Sequence, residues 1–71
     1  MKTKYKHIHF AEAMISGVNK TYWCKNNKTD GILGLVEYYP PWRKYVFSTD
    51  GDCVFDISCL ADIIDFMKQL E

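Results

Sequence analysis

The sequence is short of the residues that mark the commonest functional classes. It has only four glycines and two prolines and no low-complexity tract, which excludes a disordered or fibrous chain. No apolar run approaches a membrane span, and the start "MKTKYKHIHF" carries charge without an apolar stretch after it, so neither insertion nor export is expected. Cys24, Cys53 and Cys59 are odd in number and lack CxxC spacing, which argues against a disulfide framework or a zinc site and fits a reducing cytoplasm. There is no glycine-rich phosphate loop, nucleophile elbow or paired-carboxylate arrangement, so no catalytic residue, cofactor or metal is assigned and a non-enzymatic protein is expected. The net charge is zero, which speaks against capture of nucleic acid by bulk charge.

What remains is an apolar, aromatic chain of one domain, 1–71, with 48% hydrophobic and 15% aromatic residues. At this length a single core must hold the fold, so every large apolar residue is first a core candidate. Charge is unevenly placed: residues 1–28 carry six lysines against Glu12, and 29–71 carry eight acids against Arg43, Lys44 and Lys68.

Local patterns predict an α+β fold, a four- to five-stranded antiparallel meander with one C-terminal amphipathic helix packed on one face. The strands are expected at 6–14, 20–25, 32–39 and 42–48, with 53–55 as a short edge strand or an extended lead-in. The end of the first, Ala-Glu-Ala-Met, also suits a helical turn. "NNKTDG" reads as a hairpin loop, and Pro40-Pro41 must connect strands because neither can donate to a ladder. Proline is disfavoured at the third position of a type I turn, so this connection is either wider than a minimal hairpin or contains a cis bond. The helix is expected over 57–70 with Asp56 as N-cap, Ser58 competing, and Phe55 and Leu60 as a staple. Its apolar stripe is Leu60, Ile63, Ile64, Met67 and Leu70, widened by Cys59 and Phe66.

One helix covers one face of such a sheet, which leaves the other face polar or available for contact. If Glu37 points to water, alternation sends Leu33, Leu35 and Tyr39 to the open side and Ile32, Val36 and Tyr38 toward the helix. In the fourth strand the two sets are Arg43, Tyr45, Phe47 and Trp42, Lys44, Val46, and charge does not choose between them. The candidate partner or ligand site is therefore Trp23, Tyr39, Trp42, Arg43 and Tyr45. The competing reading is that a twisted small sheet folds these groups into its core. Arg43 suits stacking on a base or clamping an oxyanion, or, more simply, an ion pair with Glu37.

Other groups carry weaker signals. His7 and His9 leave one strand face together but supply only two metal ligands, and "DGD" at 50–52 lacks the rest of a calcium loop. Cys59 near a helix start suits a lowered pKa, although its place on the apolar stripe favours a buried structural thiol.

"LGLVEYYPPWRKYVF" followed by "CLADIIDFMKQL" resembles a pattern in small uncharacterised proteins of bacteriophages and prophages, over about residues 20–70. Those proteins show Leu-Gly, an alternating strand ending in an aromatic pair, Trp-Arg-x-Tyr-x-Phe, and Cys-Leu before an amphipathic helix. The version with a single proline at the turn differs from the pair here. The resemblance implies an intracellular accessory protein in a bacterial host, counter-defence being one such role, and transfers no functional residue. The leading expectation is a module that binds a host protein or a small nucleotide-like ligand through the aromatic and Arg-bearing sheet face. The alternatives are a nucleic-acid-binding domain using the same face with the N-terminal lysines, or a homodimer joined through it.

Overall fold

The computed structural model describes residues 1–13 and 19–71. Four strands, β1 (Ile8–Glu12), β2 (Tyr22–Asn26), β3 (Ile32–Tyr39) and β4 (Lys44–Thr49), precede one helix, α1 (Ile57–Lys68). The sheet is antiparallel in the order β1-β2-β3-β4, the α+β meander that the sequence predicts. Residues 53–55 form no strand and serve as the lead-in to α1. Met14, at the expected end of the first strand, lies outside the described residues.

The β2–β3 and β3–β4 hairpins are closed by polar groups that their loops supply. After β2, the Asn26 side chain accepts from Lys28 N at 2.8 Å and Thr29 N at 3.3 Å, an Asx turn, and Asp30 takes the left-handed conformation at φ 60°. Pro40-Pro41 sits in a four-residue loop, Pro40–Arg43, wider than a minimal hairpin and without a cis bond. The donors in that loop are Trp42 N to Tyr39 O and Arg43 N to Pro40 O, both 3.1 Å, because the prolines have none to give.

The core lies between α1 and the sheet. Ile8, Phe10, Tyr22, Cys24, Val36, Ile63 and Phe66 are buried together, and aromatic geometry dominates their packing. The Phe66 ring stacks on Phe10 at 4.0 Å and meets Tyr22 edge-on at 5.1 Å. Such pairs add about 0.5–1.5 kcal/mol each beyond area burial. Phe55 abuts Phe47 edge-on at 5.4 Å, which closes the core beside β4. Gly34 is required there by space: a Cβ at that position would meet the Phe47 ring and come within 2.7 Å of the Ser48 carbonyl oxygen.

Asp56 is the N-cap, accepting from Cys59 N at 2.8 Å, and Ser58 supports it by donating its hydroxyl to the same carboxylate. The backbone bond from Cys59 and the Ser58 hydroxyl hold the Asp56 carboxyl below its ordinary pKa. The segment before β1 has a role that alternation does not reveal. Phe10 N donates to Thr3 O at 2.8 Å and Tyr5 N to Ile8 O at 2.9 Å, which covers the outer edge of β1. From this position the Tyr5 hydroxyl donates to Asp65 and Lys2 N to Gln69 Oε1, both at 2.8 Å, tying one flank of α1 to the N-terminal segment. Desolvation, reinforced by Asp65, pushes the Tyr5 pKa up to about 12.

Candidate partner-binding face

The face of the sheet away from α1 is built by the residues alternate to the core. Trp23 stands between buried Tyr22 and Cys24, so its ring leaves on the opposite side. The register places Ala11, Trp23, Leu35 and Ser48 in one rung across all four strands. Glu37 pairs with Val46 in the next open-side rung, and Tyr39 with Lys44 in the last. Leu35 and Tyr39 thus occupy the side that alternation assigns them, as do Val36 and Tyr38 on the helix side.

Ile32 and Leu33 reverse their expected faces. Cys24 stands opposite Gly34 but Lys25 opposite Ile32, so Leu33 is the extra residue of a bulge. One inserted residue inverts alternation beyond it. Leu33 therefore packs against the core, while Ile32 is exposed beside Trp23 and Leu35.

The five candidate site residues divide between two places. Trp23, Tyr39 and Trp42 belong to the open side, where Tyr39 and Trp42 meet edge-on at 5.1 Å and Trp42 remains 66% exposed. Tyr45 is paired with Tyr38 and packs on the helix side, edge-on to that ring at 5.7 Å. This corrects its place in the site: with Trp42 in the loop and β4 starting at Lys44, the positions that alternate with Val46 face the core. Arg43 is also displaced. It is a loop residue at φ 53°, exposed, and lines with Tyr38, Lys44, Tyr45 and Leu70 a cleft of about 530 Å³ at the end of α1. Among the described residues it makes no ion pair, and Glu37 instead accepts from the Ser48 hydroxyl at 3.3 Å.

Two shallow depressions lie side by side on the open face and share Ser48. One, of about 220 Å³, is bounded by Trp23, Ile32 and Leu35, and the other, of about 270 Å³, by Tyr39, Trp42 and Val46. Both are apolar with a polar rim. At one end of that rim the Asp30 carboxylate lies 3.3 Å from His9 Nε2 and 3.8 Å from Lys25 Nζ. His9 is further engaged by Asn27 Oδ1 at 2.7 Å, so it is a rim residue rather than half of a ligand pair. No group of three metal-ligating side chains converges among the described residues.

Cys24 and Cys59 are not poised for chemistry. All three cysteines are free, and Cys24 is fully buried, with desolvation pushing its pKa up to about 12. Burial and the neighbouring Asp56 carboxylate raise Cys59 as well, which contradicts a helix-start thiolate. Among the described residues no helix is long and apolar enough to cross a membrane. No protein-family profile, characterised protein sequence or solved structure matches the chain.

Proposed function

We propose that the chain is a small non-enzymatic binding module that engages another protein through the open face of its sheet. The observation that carries this reading is the continuous exposure of Ile32, Tyr39 and Trp42 beside Trp23 and Leu35, on the side opposite the helix. Large aromatic side chains around shallow apolar depressions with a polar rim have the composition of protein-recognition hot spots. A nucleotide-like ligand is less well served, because Arg43 lies with the helix-side cleft rather than among the open-face rings.

The resemblance to small phage and prophage proteins supplies the setting: an accessory protein inside a bacterial host, with a host protein as partner and counter-defence as the role that setting suggests. Capture from bacterial lysate on the immobilised chain tests the proposal. A host protein retained by the wild type, lost with Trp42→Ala and kept with Arg43→Ala is the expected result. Capture indifferent to Trp42→Ala and Trp23→Ala overturns it. Oligonucleotide binding that weakens steeply with salt and requires the N-terminal lysines would instead favour nucleic acid.

A further inference from the structure

The expected apolar stripe of α1 is wider than the sheet covers. Cys59, Ile63, Phe66, Met67 and Leu70 pack against the core, but Leu60 is 47% exposed and Ile64 55%. Ile57, one turn before Leu60, is 86% exposed, and Val54, in the segment that leads into the helix, 92%. The flank on which these residues lie is set by the other side of the helix. At about 100° per residue, Asp65 and Gln69, which bond to Tyr5 and Lys2, leave the helix about 100–180° around from Leu60 and Ile64. The uncovered stripe therefore faces away from the N-terminal segment and β1.

We propose that this flank joins two copies of the chain, their α1 helices packed antiparallel about a two-fold axis near Leu60 and Ala61. Ile57, Leu60 and Ile64 are spaced by three and four residues, the knob spacing of paired helices. Antiparallel pairing brings Ile57 of one copy onto Ile64 of the other, and Ala61 at the centre leaves room for close approach. Charge agrees with this direction. Lys68, in the last turn of α1, falls toward the helix start and the Asp56 cap of the second copy, and the two helix dipoles oppose.

Area agrees as well. Side chains at these exposures present on the order of 400 Å² of apolar surface per copy, a patch of a size that usually marks an interaction site. With Met67 and the Lys68 stem added, two copies approach the lower range of specific interfaces, about 1,200 Å² in total. The composition is aliphatic and core-like, as homodimer contacts are, in contrast to the Trp- and Tyr-rich sheet face. That face stays free in the dimer, so the assembly would offer two recognition surfaces.

Molar mass by sedimentation or light scattering, from ~10 μM to ~1 mM chain, tests the proposal over the range in which a micromolar dimer titrates. The expected mass rises from the 8.3 kDa of one chain toward twice that value. Leu60→Glu, and Ile57→Lys as the variant that touches least of the core, should each weaken association ~10-fold or more while far-UV circular dichroism keeps the native spectrum. Lys68→Glu should weaken it also. A single-chain mass throughout overturns the proposal. So does a dimer that ignores both apolar substitutions or is lost with Trp42→Ala, since contact would then run through the sheet face.

Discussion

The two faces of the sheet carry similar side chains and treat them differently. Beneath α1, Phe10, Tyr22, Cys24 and Val36 are almost wholly removed from water; on the open side of the same sheet, Trp23, Leu35 and Val46 are only partly so, and Tyr39 is exposed. Composition is thus a poor guide to role in a chain this small. What separates core from surface is whether a second layer lies across the face. The helix supplies that layer on one side, and on the other the same kinds of aromatic residue stay at the surface, where the proposed partner would meet them.

This comparison is broken most severely from the covered side. Phe66→Ala removes the ring that stacks on Phe10 and abuts Tyr22, and should lower unfolding free energy in urea by about 3–5 kcal/mol, enough to unfold much of a domain of this size. Gly34→Ala forces a methyl group into the Phe47 ring and the Ser48 backbone; about 1–3 kcal/mol of destabilisation is expected in the same assay. Acid should act through the helix cap. Because the Asp56 carboxyl titrates lower in the folded chain than in the unfolded one, its contribution is present above the unfolded value and is lost as pH falls through the folded value. The melting temperature should therefore drop below about pH 4, and Asp56→Ala should lower it by several degrees at neutral pH and remove this part of the acid dependence. The open face gives the smallest effect on folding. Trp42→Ala should change stability by no more than about 0.5 kcal/mol while abolishing partner capture, and a large loss of stability would show that Trp42 belongs to the core after all.

The element order could be read from turn chemistry and periodicity because those signals are local. Asn-Asn-Lys-Thr-Asp-Gly, Pro40-Pro41 and the Asp56 cap each act within a few residues, and each appears where expected. Side-chain direction in β3 failed at Ile32 and Leu33 because the bulge depends on how β2 pairs with β3, a long-range matter that alternation within one strand cannot register. Tyr45 was ambiguous for a related reason: the first residue of β4, and hence its phase, is set by how many residues the prolyl loop consumes. The width of the helical stripe was visible, but its uncovered edge depends on where the helix lies over four strands. The N-terminal segment joins the sheet edge through backbone groups, which carry no residue signature.

Arg43 points to a further separation of roles. Its backbone sits at φ 53°, where an L side chain costs about 1–2 kcal/mol relative to an unstrained conformation and glycine does not. Arg43→Gly should accordingly raise the melting temperature while deleting the cation beside Tyr38 and Tyr45. Hairpin closure alone would favour glycine at this position, so the guanidinium is held there at the expense of local conformational ease. Comparing Arg43→Gly with the wild type would show what the charged side chain contributes beyond folding.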